Sequence, residues 1–151
     1  MKIVVASDNH GSKENLNRIV NIEYNGDYYF HLGDSDLEEK DIKPFISVKG
    51  NADYFNYPKE RVIEISNHRF LLLHSNNSYN NDLNLLVNKA KESDCDVVLF
   101  GHAHVFYCNT INGVLLVNPG SCLYNRDGTK ASYALLHIGN DGYITVERKD
   151  I

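Results

Sequence analysis

Short apolar runs, each closed by glycine or a polar donor, recur along the chain. Ile3-Val4-Val5-Ala6 reads as a buried strand and ends in Ser7-Asp8-Asn9-His10-Gly11. Tyr28 to Leu32 ends in Gly33-Asp34, and Phe45 to Val48 in Gly50-Asn51. Phe70 to Leu73 ends at His74, and Val97 to Phe100 runs into Gly101-His102-Ala103-His104. Between these strands the spacing changes to that of helices. After Ser12, a candidate cap, Leu16, Ile19, Val20 and Glu23 fall on one stripe, and Asp82 to Ser93 places Leu83, Leu86, Val87 and Ala90 on one face.

Hairpin signals dominate elsewhere. Arg61–Ile65 and Phe70–Leu73 are joined through Asn67-His68, and Val105–Ile111 and Val114–Val117 through Asn112-Gly113. Tyr133–Ile138 and Tyr143–Glu147 flank a turn at Asn140-Asp141-Gly142. Early alternation with helix and later hairpins predict an α/β fold of mixed sheets covered by a few helices. With no repeat or low-complexity linker, the 151 residues are expected to form a single domain spanning 1–151, within the ~100–200 usual for one.

Charge and composition narrow the partners. A formal net charge of −5 argues against a basic track for an extended nucleic acid. The apolar opening is cut short by Asp8, Asn9 and His10, and no run approaches the ~20 residues of a membrane span. Cys95, Cys108 and Cys122 lack C-x-x-C spacing and read as reduced thiols of a cytoplasmic protein, Cys108 as a small core residue.

The strand ends carry the chemistry. Ligands bind beyond the carboxyl ends of strands in open α/β sheets, and here those ends present Asp8, His10, Asp34, Asn51, His74, His102 and His104. Imidazole, carboxylate and amide donors without thiolates suit Mn²⁺, Fe, Zn²⁺ or Ni²⁺. Seven donors exceed one tetrahedral ion and suit two ions sharing a bridge, a centre ~3.5–4 Å across that binds phosphoryl groups and activates water. The pair His102 and His104 is open to two readings. On an extended chain both rings share a face and could meet one metal, or one could pack while the other is solvated.

In this order, Ser7-Asp8-Asn9-His10-Gly11, Gly33-Asp34, Gly50-Asn51-Ala52-Asp53, His74 and Gly101-His102-Ala103-His104 resemble the motifs of calcineurin-like metallophosphoesterases across essentially the whole chain. With Asn118-Pro119-Gly120-Ser121 and the short length, the resemblance is to the small bacterial and archaeal phosphodiesterase branch, related to the retromer scaffold subunit. It implies a two-sheet β-sandwich flanked by helices, an αββα four-layer fold. It also implies one divalent metal on Asp8, His10, Asp34 and His104, and a second on Asp34, Asn51, His74 and His102, with Asp34 bridging. Mn²⁺ is the first expectation, with Ni²⁺, Zn²⁺, Fe²⁺ or Mg²⁺ as alternatives. The implied reaction is in-line attack on a small phosphodiester by a hydroxide bridging the metals. Asp34, His10 and Asn51 are the candidate catalytic residues. On this reading His102 and His104 serve different ions, Gly101 letting the chain splay their rings.

Two positions depart from the family pattern. Ala52 stands where many members have a histidine that protonates the leaving oxygen, a contribution worth ~10²–10⁴ in rate, so slow turnover or a preference for good leaving groups is expected. Ser75 stands where glycine is usual and would be strained if that position required positive φ. Around the ligands, Asp53 either orients a ligand or caps a turn, and Asn118 and Ser121 are candidates to back the ligands or face phosphate. Arg126 could grip a substrate phosphate or be a surface residue. His31 reads as a hydrogen-bonded core histidine, and Tyr24, Tyr28, Tyr29, Tyr54, Tyr57 and Tyr79 as packing residues that could stack a nucleoside base. A phosphomonoesterase and a catalytically weak scaffold are the competing functions, and a homo-oligomer is compatible with either.

Overall fold

The computed structural model describes residues 1–75 and 82–151. Its elements run β1 (Lys2–Ala6), α1 (Lys13–Ile22), β2 (Tyr28–His31), β3 (Ile46–Ser47), β4 (Glu60–Ile65), β5 (His68–Leu73), α2 (Leu83–Glu92), β6 (Val97–Phe100), β7 (Phe106–Ile111), β8 (Val114–Pro119), β9 (Ser132–Ile138) and β10 (Ile144–Asp150). The strands form two five-stranded mixed sheets, ordered β10-β9-β1-β2-β3 and β4-β5-β6-β8-β7. β1, β2 and β3 are mutually parallel in the first sheet, as are β5, β6 and β8 in the second.

The continuous apolar runs are explained by three packed cores. Ile3, Val5, Phe30 and Leu32 meet Phe70, Leu72, Val97 and Leu99 between the sheets. The alternate residues Val4 and Ala6 pack under Leu16 and Ile19 of α1. Leu71, Leu73, Val98 and Phe100 pack under Leu86, Val87 and Ala90 of α2. Each central strand is therefore covered on both faces, and the layers run α1, sheet, sheet, α2. Among the described residues no helix is long and apolar enough to cross a membrane.

Local expectations met mixed outcomes. Asn112 and Gly113 both take positive φ, 50° and 82°, as a two-residue turn matching strand twist requires. The β4–β5 turn is Ser66-Asn67 and not Asn67-His68, with His68 already in the strand. Ser12 occupies the N-cap of α1 without a side-chain capping bond, and instead the Asn9 amide donates to the Ser12 carbonyl at 3.4 Å. Cys108 is exposed, which corrects its expected place in the core. It lies on β7, an edge strand of its sheet, paired with Val117 of β8 on one side only.

His68 ties the two sheets together. Its Nδ1 lies 2.5 Å from Asp96 Oδ2 and its Nε2 2.7 Å from the Gly142 carbonyl in the β9–β10 turn. Both partners are acceptors, so the imidazolium alone satisfies both. Burial works against the charge, but the Asp96 carboxylate and the Gly142 carbonyl outweigh it and raise the His68 pKa. A raised folded-state pKa stabilises below the unfolded value of ~6.5 and that stabilisation is lost as pH rises through the folded value. Relative to His68→Gln, wild-type Tm is expected to lose about 1–4 °C as pH rises through this range, the reading of about 0.5–1 kcal/mol. Parallel melting profiles for the two proteins would show that the contact contributes nothing.

Candidate metal centre

Because β1, β2 and β3 are parallel in one sheet and β5, β6 and β8 in the other, their carboxyl ends can meet at one edge of the sandwich. Backbone bonds lock the turns together there. The Asp8 amide donates to the Gly33 carbonyl at 3.1 Å, His10 to Asp34 at 3.1 Å and Gly11 to Ser35 at 2.9 Å. Across the sheets, the His102 amide donates to Asp8 Oδ2 at 3.0 Å and His74 Nδ1 donates to the Leu32 carbonyl at 2.7 Å.

Five of the seven expected donors hold left-handed backbone: Asp8 (φ 55°), His10 (42°), Asp34 (53°), His102 (77°) and His104 (53°). Single non-glycine residues there each cost of order 1–3 kcal/mol, and they persist because the surrounding bonds fix them. Ser75 is not among the positive-φ residues, so the expected strain at that position is absent. The splaying of the two histidines likewise comes from the backbone of His102 and His104 themselves. Gly101 serves close approach instead: a Cβ there would lie 2.3 Å from Ser7 Oγ and 2.6 Å from the Leu32 carbonyl. Gly50 is tighter still, with a Cβ falling 2.0 Å from Asp34 Oδ1.

The side chains gather into two groups, Asp8 with His10 and His104, and Asp34 with His74 and His102, the ligand atoms of each lying within 4.8 Å of one another. In the first group Asp8 is fully buried, and its Oδ2 accepts from Ser7 Oγ at 2.5 Å. Its Oδ1 accepts no hydrogen bond and lies 3.2 Å from His104 Nε2, which in turn lies 3.3 Å from His10 Nε2. In the second group, with His74 Nδ1 spent on Leu32, His74 Nε2 faces Asn51 Oδ1 at 3.1 Å and Asp34 Oδ2 at 3.3 Å. Both groups bring lone-pair donors together with too few protons between them, and a buried orphan carboxylate oxygen is costly unless a cation meets it. This donor chemistry fits divalent metal.

Burial works to raise the Asp8 and Asp34 pKa values, yet the His104 and His74 rings and local hydrogen bonds more than offset it, so both carboxylates titrate below their usual range. Burial opposes charge on His74 but Asp34 and Asp8 prevail and raise its pKa, while burial and the neighbouring His74 depress that of His102. The ring planes of His74 and His102 stand 81° apart with centroids 5.2 Å apart.

A supporting layer holds these donors. Asp53 accepts from the amides of Asp34, Ser35 and Asp36 at 2.9 Å each and of Gly50 at 2.7 Å, so it orients the Asp34 turn. Asn118 Nδ2 donates to the Gly101 carbonyl at 3.1 Å, and Ser121 Oγ donates to the Asp8 carbonyl at 2.8 Å, so both side chains are committed to backbone. Arg126 is exposed; its amide donates to the His104 carbonyl at 2.8 Å, and its charge helps to lower the His102 pKa. His31 is fully buried, with Nδ1 accepting from the Gly33 amide at 3.3 Å and burial pushing its pKa down to about 4, so it is a neutral core histidine.

The 1–141 stretch matches the model of the calcineurin-like phosphoesterase superfamily domain. The chain belongs to that family. It is 32% identical over 146 residues to the Probable metallophosphoesterase YsnB of Bacillus subtilis, covering 93% of this chain and 86% of that protein. It is 27% identical over 146 residues to Phosphodiesterase MJ0936 of Methanocaldococcus jannaschii, covering 81% and 84%. Among solved structures, a Streptococcus pneumoniae protein described as a predicted phosphoesterase superposes with a TM-score of 0.84 at 29% identity, over 97% of this chain and 87% of that one. Metallophosphoesterases use divalent metals, which accords with the paired donor groups.

Several contributors escape a reading of strand ends alone. Asp36 Oδ2 lies 3.3 Å from His10 Nδ1, where it can hold the ring orientation, and Ser7 anchors Asp8. Tyr124, half exposed, sets its ring edge-on to His104 at 5.0 Å. Of the tyrosines considered for stacking, Tyr57 is buried and donates to the Leu37 carbonyl, Tyr29 donates to the Glu23 carbonyl, and Tyr24 and Tyr54 are exposed. Tyr79 lies outside the described residues.

Proposed function

We propose that this metallophosphoesterase-family chain is a phosphodiesterase using two divalent ions, with Asp34 between them. The observation that carries this is the pair of adjacent donor groups, Asp8-His10-His104 and Asp34-His74-His102, with the unpartnered Asp8 Oδ1 and convergent ring nitrogens inside them. Asp8, His10 and His104 would hold one ion, and His74, His102 and Asn51 the other, with Asp34 reaching both. Mn²⁺ suits this mixed set of nitrogen and oxygen donors. Two bound ions would supply positive charge against the phosphoryl oxygens and an activated water as nucleophile.

The protein's own contribution is position. His74 is oriented through Leu32, Asp34 Oδ1 is held by the Ala52 amide at 2.7 Å, and Asp8 is held by Ser7 and the His102 amide. Position 52 offers a methyl group and a backbone amide and no proton donor for a leaving oxygen. Good leaving groups are therefore favoured, and small phosphodiesters are the expected substrates.

With Mn²⁺, bis-p-nitrophenyl phosphate is expected to be hydrolysed faster than p-nitrophenyl phosphate, and EDTA to stop both. A higher rate on the monoester would reassign the chain to monoester chemistry. Inactivity on both with Mn²⁺, Ni²⁺, Zn²⁺ and Fe²⁺ would refute a hydrolytic role.

A further inference from the structure

A cleft of about 630 Å³ leads away from the second donor group, beginning at Asn51 and His74. One wall is the segment at Lys49 and Gly50 together with Lys59 and Glu60, and the Lys49 amide joins these stretches by donating to the Pro58 carbonyl at 2.8 Å. The other wall is α2, which contributes Leu85, Leu86 and Lys89, and Leu73 of β5 completes an apolar lining. Lys89 is paired with Glu60 at 2.9 Å across the cleft. Lys49 and Lys59 have no ion pair among the described residues. In a chain of net charge −5, the cleft beside the metal centre thus presents two uncommitted ammonium groups and one balanced pair.

We infer that this cleft binds one arm of the substrate, and that the arm carries a second, terminal phosphate. The inference rests on the phosphodiesterase reading and specifies its substrate class: a phosphodiester in which a sugar or similar body lies over Leu73 and Leu86 while its distal phosphate meets Lys49 and Lys59. Charge complementarity decides the occupant. An uncharged arm would leave both ammonium groups unanswered, whereas a phosphate at the distal end meets them as point charges. The cleft is continuous with Asn51 and His74, so an ester whose phosphorus is engaged by the metals has one arm directed into it. Lys49 and Lys59 are specificity residues and do not touch the reacting atoms.

The test is equilibrium binding of two dithymidine probes with a non-hydrolysable methylenephosphonate linkage, one bearing a 5′-phosphate and one a free 5′-hydroxyl, to the full chain with Mn²⁺. The wild type is expected to prefer the phosphorylated probe by about tenfold, equivalent to about 1.4 kcal/mol. Lys49→Gln/Lys59→Gln is expected to bring the ratio near one, Lys49→Arg/Lys59→Arg to retain it, and high salt to shrink it as screening requires. Lys149→Gln, which removes a like charge on β10, is expected to keep it. The ratio compares two ligands on the same protein, so partial unfolding of a variant does not imitate the effect. A wild-type ratio near one, binding of neither probe, or an unchanged ratio in the double glutamine variant overturns the inference. Phosphate preference without hydrolysis of bis-p-nitrophenyl phosphate would instead remove the phosphodiesterase reading and leave the cleft assignment standing.

Discussion

Asp34→Ala is expected to lower Mn²⁺-dependent hydrolysis of bis-p-nitrophenyl phosphate by at least ~10³-fold, the scale of losing charge stabilisation in a preorganised site. Asp34 follows β2, accepts from the Ala52 amide through one oxygen and faces His74 Nε2 through the other, and in the proposed arrangement it reaches both ions. Of the nearby carboxylates, Asp8 is committed to the other group, Asp53 to backbone amides and Asp36 to His10 Nδ1. Truncation should therefore weaken both ions, whereas loss of a ligand on one side should weaken one. The check is steady-state kinetics at saturating Mn²⁺ with melting curves alongside. A variant that folds and keeps more than about a tenth of wild-type activity would remove Asp34 from the bridging position, because it would imply a cost near 1.4 kcal/mol only.

The second large effect belongs to a residue that touches no ion in this account. Asp53→Ala is expected to lower Tm by roughly 6–12 °C, corresponding to about 3 kcal/mol or more, and to weaken Mn²⁺ binding by about 10–100-fold. Asp53 is 5% exposed and accepts from four backbone amides, so truncation leaves those donors without their acceptor. Three of the donors, at Asp34, Ser35 and Asp36, belong to the turn that carries two left-handed residues. Once released, that turn can relax toward ordinary backbone and carry the Asp34 carboxylate away from the metal position. Thermal melts and Mn²⁺ titration measure the two effects separately. If Mn²⁺ affinity survives a large fall in Tm, Asp53 supports the fold without positioning Asp34.

The donor set was legible in the sequence because strand ends are marked by residue type. An apolar run followed by Gly-Asp, Gly-Asn or Gly-His-Ala-His announces both where the strand stops and what it presents. The cores were legible for the same reason, since Ile3-Val4-Val5-Ala6 can be apolar throughout only if both faces are covered, and α1 and the second sheet cover them. Less visible were features that depend on where two distant segments approach. The left-handed backbone of His102 and His104 follows from contacts such as His102 to Asp8, 94 residues away in sequence, and is not encoded in Gly101. Asp53 stayed open between orienting a ligand and capping a turn because its four amide partners come from two loops that meet only in the fold. Cys108 failed for a different reason: strand periodicity says which face a residue occupies but not that its strand lies at an open edge.

The division of His102 and His104 between two ions is the central claim, and Mn²⁺ stoichiometry tests it most directly. Elemental analysis after equilibration with Mn²⁺ is predicted to find two ions per wild-type chain, and near one per chain in both His102→Ala and His104→Ala. A wild-type chain that binds a single ion, lost on removing either histidine, would place both imidazoles on one metal and contradict the account.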